Sequence, residues 1–135
     1  MYISPAYILF ALPALVLGLY AQAKVQSTFR KYLGVANMRR VNGLSAAREL
    51  LSVAGLDHVT IEGARGTLTD HYDPRSKTLR LSQAVAEQPS IASVAVVAHE
   101  VGHAVQDASG YTPMKVRSGL VPLVNIGSYL GPILF

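Results

Sequence analysis

Two histidines and a glutamate are spaced as metal-dependent hydrolysis requires. They are His99, Glu100 and His103, in the pattern H-E-x-x-H within an apolar run of helix formers. On an α-helix, residues four apart lie on one face, so both imidazoles can reach one metal ion. Glu100 can take a proton from water at that ion. The pattern predicts a catalytic zinc site with His99 and His103 as metal ligands and Glu100 as the catalytic acid/base.

Histidine pairs at this spacing also arise by chance on ordinary helices. Here the flanking residues, 96–98 and 104–105, are uncharged and apolar, and the segment predicts a buried helix. In such surroundings two imidazoles and a carboxylate are costly unless they serve a purpose. We therefore expect a functional site rather than an accidental pair.

The composition indicates a single domain held at a membrane. The chain has 135 residues, of which 50% are hydrophobic and 15% are charged. All 12 Lys and Arg and all 8 Asp and Glu lie between Lys24 and Arg117, so both ends are uncharged. The absence of Cys excludes disulfides and thiolate ligands. With a net charge of +4, no Trp and no basic–aromatic interleaving, we expect no nucleic-acid partner.

The N-terminal apolar run predicts a transmembrane anchor over residues 1–23. Residues 5–23 are about long enough to cross a bilayer, and basic residues follow from Lys24 with no acid before Glu49. The positive-inside rule places that basic side in the cytoplasm. A signal peptide cleaved at 21–23 is the alternative, but its basic residues would precede the apolar run. Residues 25–42 then predict a juxtamembrane helix or arm.

The C-terminal residues 119–135 form a second apolar run that follows Lys115 and Arg117. The run predicts the start of a second membrane segment, in contact with lipid, that stops at Phe135; a buried or interfacial helix is the alternative. Residues 24–118 would then form the enzymatic domain between two membrane segments. On this interpretation the chain is a fragment of a longer protein.

The middle of the chain predicts an α+β fold. Ser45 is the expected N-cap of a helix over 46–54, and Ser90 that of the metal-binding helix over 91–108. Alternating and β-branched residues predict short strands at 59–62, 67–72 and 78–82. We expect a small antiparallel sheet of about three strands, packed on the H-E-x-x-H helix.

Three motifs together resemble a family of bacterial membrane zinc-dependent peptidases, the Zn-peptidase-2 or YugP-like proteins. The motifs are L-T-D-H-Y-D-P-R at 68–75, L-R-L-S at 79–82 and A-H-E-V-G-H-A-V-Q at 98–106. The N-terminal span and residues 117–127 are also similar, so the resemblance covers nearly the whole chain. It implies a minimal gluzincin-like fold, a Zn²⁺ cofactor, a peptide or protein substrate and a bacterial inner-membrane location with a cytoplasmic catalytic domain.

The family resemblance also bears on the zinc ligands. It implies His99 and His103 as ligands, Glu100 as acid/base, and a third ligand from a Glu on a later helix. The only acid after Glu100 in this chain is Asp107, which lies one more turn along the same helix. Three ligands in a row on one helix face cannot surround a tetrahedral ion. The chain therefore looks C-terminally short relative to the family.

His71 lies in the D-H-Y-D-P motif and has three interpretations. Residues 70–74 can be ordinary turn chemistry, in which Asp side chains bond nearby backbone N–H groups. His71 can instead contact the substrate, or the oxyanion formed during hydrolysis. It can also be a metal ligand. His58, beside Asp57 in a loop, is expected to be a surface residue.

The functional hypothesis is a zinc metalloendopeptidase-like hydrolase with a substrate backbone bound to an edge strand at 67–72 or 78–82. The alternative is a catalytically incomplete, membrane-anchored binding or assembly module with a vestigial zinc motif. A purely structural ion is a third interpretation and is disfavoured, because no set of four Cys or His ligands is visible in the sequence.

Overall fold

The computed structural model describes residues 5–134, without the side chains of residues 6, 7, 127 and 129–134. In chain order the elements are α1 (Pro5–Leu33), α2 (Gly43–Val53), β1 (Thr60–Ala64), β2 (His71–Asp73), β3 (Thr78–Ser82), α3 (Gln83–Glu87), α4 (Ile91–Ala108) and α5 (Thr112–Leu134). The α+β class is therefore confirmed. Strand β3 and helix α4 lie at the predicted positions.

The sheet is mixed, so the prediction of an antiparallel sheet was wrong. Its strand order is β1-β3-β2, with β1 parallel and β2 antiparallel to β3. Strand β3 buries Leu79 and Leu81 almost completely, and it takes the centre of the sheet, between β1 and β2. The prediction failed because it assumed that strands adjacent in sequence are also neighbours in the sheet.

Strand β2 covers 71–73 rather than the predicted 67–72. Leu68 has a φ of 56°, in the left-handed region that an extended strand excludes. The Asp70 carboxylate accepts the backbone N–H of Ser82 at 2.7 Å and its hydroxyl at 3.1 Å. These contacts make 65–70 a crossover that carries the chain past the end of β3 to the far edge of the sheet.

The two long helices of the core begin at side-chain caps. Ser90 accepts the N–H of Ser93 at 3.0 Å, which confirms the predicted cap of α4. Helix α2 begins earlier than expected, because Asn42 is its cap and accepts the N–H of Ser45 at 2.9 Å. Ser45 therefore lies in the first turn of α2 and is not the cap.

The core lies where α2, α3 and α4 meet the buried strand β3. Its fully enclosed or nearly enclosed members include Ala47, Leu51, Leu79, Leu81, Val85, Val97 and Ala104. Apolar burial of this kind is the main favourable contribution to folding. The core therefore fixes α4, the helix that carries the H-E-x-x-H residues, against the sheet.

Helix α1 is continuous through the expected end of the anchor at residue 23. Its 29 residues give a length of about 43 Å. The large apolar side chains from Ile8 to Tyr20 are exposed, whereas Phe29 near the C-terminal end is buried where α1 meets α4. Among the described residues, the helical stretch Ile8–Leu33 is the one candidate for a membrane span by length and composition.

The helix predicted over 25–42 ends at Leu33, and an irregular segment follows. The N–H of Asn37 donates to the Pro89 carbonyl at 3.0 Å, and the N–H of Ile91 donates to the Val35 carbonyl at 2.9 Å. Residues 34–42 are thereby joined to the start of α4.

Helix α5 exposes large apolar side chains on its described part, among them Val116, Leu120 and Leu123. The predicted second membrane segment, 119–135, lies partly outside the described residues. It stays a prediction.

Gly43 offers a direct test of how α2 packs on α3. A Cβ atom at this position would collide with the backbone carbonyl of Val85, which no side-chain rotation can relieve. We expect Gly43→Ala to lower the free energy of unfolding by about 2 kcal/mol, measured by urea unfolding in detergent and followed by circular dichroism. Gly63→Ala is the matched control, because no atom lies within 4 Å of its Cβ position. Equal stability of the two variants would contradict this packing.

Candidate functional site

The H-E-x-x-H residues take their orientation from the apolar pattern of α4. Val97, Val101 and Ala104 recur at helical spacing and are buried against the core. His99 consequently falls on the exposed side of the helix, and His103 is half-buried. One face of α4 therefore anchors the helix, while the adjacent face presents two imidazoles.

The two imidazoles converge on one point. His99 Nε2 and His103 Nε2 lie 3.2 Å apart, with the rings nearly perpendicular at 79°. Two nitrogen ligands of a tetrahedral zinc ion, each at about 2.0–2.1 Å from it, are separated by about 3.3 Å. Two lone pairs at this distance repel unless a proton or a cation lies between them. The donor set therefore fits two of the four positions of a zinc ion.

The other nitrogen of His103 has its own partner. His103 Nδ1 lies 3.1 Å from Gln106 Oε1, a carbonyl oxygen that can only accept. With the proton on Nδ1, the lone pair of Nε2 points toward His99. Acceptors that fix the tautomer in this way are common behind metal-binding imidazoles.

Glu100 connects α4 to the edge of the sheet. Its Oε2 accepts the backbone N–H of Tyr72 at 3.1 Å. Strand β2 is an edge strand, and backbone groups along an antiparallel strand point alternately toward and away from the partner. The N–H of Tyr72 therefore points to the open edge, and this edge lies beside the Glu100 carboxylate.

The phenol of Tyr72 makes a second link between β2 and α4. Its hydroxyl donates to Asp107 Oδ2 at 2.8 Å, and Lys77 Nζ forms an ion pair with the same oxygen. Burial and the neighbouring Asp107 carboxylate raise the pKa of Tyr72 well above its usual value. Partial burial acts to raise the pKa of Asp107, but hydrogen bonds from Lys77 and Tyr72 lower it below its usual value.

The two carboxylates of the D-H-Y-D-P motif are both engaged by hydrogen bonds. Asp70 is bound to Ser82, and Asp73 accepts the N–H of Arg75 and the hydroxyl of Ser76, both at 2.9 Å. These bonds hold the pKa of Asp73 below its usual value. Asp73 therefore fits the turn interpretation of this motif, whereas Asp70 bonds a distant residue at the end of β3.

His71 is not bonded to the H-E-x-x-H residues in the described structure. Its Nδ1 lies 2.7 Å from the Thr69 carbonyl, its ring is exposed, and it pairs across the sheet with Arg80. Side chains alternate along a strand, so His71 lies on the face opposite Tyr72. His58 is exposed in the turn between α2 and β1.

A third ligand is not visible within residues 5–134. No group of three or more His, Asp or Glu side chains there is placed to share an ion. Asp107, the acid that follows Glu100 in the sequence, is engaged by Lys77 and Tyr72.

The sequence did not single out Tyr72 and Gln106 as parts of this site. Tyr72 reaches Glu100 through its backbone, which no residue type encodes. Gln106 had a usable signal, because it stands three residues after His103 and therefore on the same helix face.

Comparisons with known proteins support the sequence resemblance. The family described as "Putative neutral zinc metallopeptidase" (Zn-peptidase-2) matches residues 7–135. The "Putative membrane protease YugP" of Bacillus subtilis (strain 168) is 42% identical over 129 residues, which is 96% of this chain and 57% of that relative. The chain thus spans a little over half the length of that relative. No solved structure matches.

The Asp107 contacts predict a loss of stability in acid. A carboxylate whose pKa is lowered by folding stabilises the protein above its unfolded pKa, near 3.8, and this stabilisation disappears as the pH falls through the folded value. We expect Asp107→Asn to lower the free energy of unfolding by about 1 kcal/mol at pH 7. The difference from wild type should shrink as the pH falls below about 4. Urea unfolding between pH 7 and pH 2 measures both effects.

Asp57→Asn is the control for this experiment, because Asp57 is exposed in a turn. Its stability should follow the wild type at every pH. A gap between Asp107→Asn and wild type that stays constant down to pH 2 would contradict the role of the charge.

Proposed function

The chain belongs to the neutral zinc metallopeptidase family Zn-peptidase-2, and we propose that it is a membrane-anchored hydrolase of peptide bonds with Glu100 as general base. The observation that carries the proposal is the convergence of His99 Nε2 and His103 Nε2 at 3.2 Å, one residue from a carboxylate. The zinc and peptidase terms in the family description agree with this donor set.

His99 and His103 would hold the zinc ion through their Nε2 atoms. A zinc ion there supplies a Lewis acid that polarises the peptide carbonyl and acidifies water. By the family resemblance, the third ligand would come from a Glu of a later helix. Gln106 keeps the Nε2 lone pair of His103 available by accepting a hydrogen bond from the Nδ1–H.

Glu100 moves the protons of the reaction. Its Oε2 is held by the Tyr72 N–H, while Oε1 makes no hydrogen bond among the described residues. Oε1 therefore accepts the proton of the attacking water and delivers it to the amine of the departing peptide. The backbone contact keeps the carboxylate from rotating away from that position.

The substrate backbone would lie along β2. The earlier alternative, the strand at 78–82, is wrong, because β3 is central and pairs on both sides. Strand β1 is the other edge, with β3 and β2 between it and Glu100. An extended peptide along β2 would pass beside Glu100 and pair with the outward carbonyl of Tyr72, since the Tyr72 N–H is bonded to Glu100. We propose His71 as a contact to the substrate and not as a ligand or an oxyanion contact, because its ring lies on the face of β2 opposite Tyr72 and its contact to α4.

The membrane attachment would be provided by α1. Its exposed apolar side chains suit a lipid environment, and the named relative is described as a membrane protease. The basic residues after position 23 favour a cytoplasmic catalytic domain over 24–118 in a bacterial inner membrane. Residues 119–135 would begin a second membrane segment.

A binding or assembly module with a vestigial zinc motif is the second candidate. The observation that favours it is that two histidines alone converge within the described residues, without a third ligand. Zinc content and proteolysis separate the two candidates.

Zinc binding should depend on two of the four histidines. We expect His99→Ala and His103→Ala to lower zinc affinity at least 100-fold, because each removes one converging nitrogen. His58→Ala and His71→Ala are the matched controls and should bind zinc as the wild type does. Elemental analysis of protein purified in detergent, with competition against a chelator, measures the affinity. Equal zinc affinity of all four variants would refute this site.

Proteolysis should depend on Glu100. We expect Glu100→Gln to keep stoichiometric zinc but to lower the cleavage rate of unfolded casein at least 1,000-fold, because an amide cannot accept the proton of water. Glu87→Gln, an exposed change on α3, should cleave casein at the wild-type rate. A Glu100→Gln variant with full activity would overturn the general-base assignment. A zinc-free, inactive wild type would favour the binding module instead.

A further inference from the structure

An apolar groove opens directly beside the catalytic candidates. A cavity of about 390 Å³ is bounded at one end by His99 and Glu100. Its other lining residues are Val25, Leu68, Asp70, Ala95 and Val96. Four of these five are apolar, so the surface next to the carboxylate of Glu100 is predominantly hydrocarbon.

The groove continues along α4 away from His99. A second cavity, of about 370 Å³, shares Val25, Leu68, Ala95 and Val96 with the first. It extends past Phe29 on α1 to the start of α4. The two cavities therefore form one depression, walled by α1 on one side and by α4 on the other.

Leu68 is held at the junction of the two cavities by a strained backbone. Its φ of 56° is unfavourable for a residue with a branched side chain. The side chain is half-buried and lines both cavities. Strain of this kind persists where the surrounding structure enforces it, and it is concentrated at functional sites.

We propose that this groove is the specificity site of the peptidase and that it accepts apolar side chains of the substrate next to the cleaved bond. The inference rests on the proposed function. Each cavity lies in the range of about 300–1,000 Å³ that is typical of ligand pockets. A substrate is the occupant favoured by the lining, because the groove ends on the residues proposed to do the chemistry.

The charges at the groove narrow the class of substrate further. Glu100 and Asp70 border its catalytic end, so an acidic substrate side chain there would meet two carboxylates. Val25 and Phe29 lie within two turns of the end of the proposed anchor at residue 23. The catalytic end of the groove therefore favours apolar, non-acidic side chains, whereas Lys24 lines the other end, close to the proposed anchor.

Peptide binding to the Glu100→Gln variant tests the groove without any need for catalysis. The protein has no Trp, so short peptides that end in Trp can be followed by fluorescence anisotropy with the variant in phosphatidylcholine nanodiscs. The peptides differ only in two central residues, which are Leu-Leu, Ser-Ser or Asp-Asp. Empty nanodiscs correct for peptide that partitions into lipid.

We expect the Leu-Leu peptide to bind about tenfold more tightly than the Ser-Ser peptide, and the Asp-Asp peptide to bind most weakly, because Asp70 still borders the groove in the Glu100→Gln variant. Adding Ala95→Leu to the Glu100→Gln variant fills the groove and should lower the affinity for the Leu-Leu peptide to that for the Ser-Ser peptide. Ala108→Leu is the matched control, since Ala108 is exposed on the same helix and outside both cavities. Val25→Ser alters the opposite wall at an exposed position and should also lower the Leu-Leu affinity.

The outcomes separate this inference from the proposed function. Equal affinities for the three peptides would overturn the assignment of the groove as the specificity site. Leu-Leu binding that neither Ala95→Leu nor Val25→Ser changes would do the same. In either case lipid or another protein segment would be the occupant of the groove. If the Leu-Leu peptide binds more tightly but the wild-type protein does not cleave casein, the apolar binding site is supported and the proposed peptidase function is contradicted. Circular dichroism confirms that each variant is folded before it is compared.

Discussion

The approach of two imidazole nitrogens to 3.2 Å is the constraint on which the site depends. Two lone pairs cannot stay that close without a positive centre between them, so the geometry is stable only with a shared proton or a cation. Helix α4 enforces the approach because residues four apart lie on the same face. The helix is in turn fixed by Val97 and Val101, which are buried against the core. Packing on one face thus determines the electrostatics of the other.

Tyr72 joins the sheet to this helix at two points. Its backbone N–H holds Glu100, and its hydroxyl holds Asp107 two turns further along α4. Because β2 has only three residues, this residue accounts for much of the register between the edge strand and the helix. The mixed topology matters here, since it brings β2, rather than β3, to the edge beside Glu100.

Helix α1 combines two roles that are usually separate. Its first part exposes apolar side chains suited to lipid, while Val25 and Phe29 near its C-terminal end form a wall of the groove beside the site. On the proposed function, α1 would anchor the chain and line the groove, which would link substrate choice to the bilayer surface. The same arrangement makes the orientation of α1 relative to α4 a determinant of the groove's width.

The sequence by itself determined the class of the fold, the bounds and cap of α4 and the position of β3. It also determined that His99 and His103 lie on one helix face. All of these features follow from local periodicity and short-range hydrogen bonds. It did not determine the strand order, the left-handed Leu68 or the contact between Glu100 and the Tyr72 backbone. These features are produced by contacts between distant segments, in which the most buried strand takes the centre and a backbone N–H finds an acceptor 28 residues away. Only the tertiary structure could decide them, because no local pattern records which segments meet.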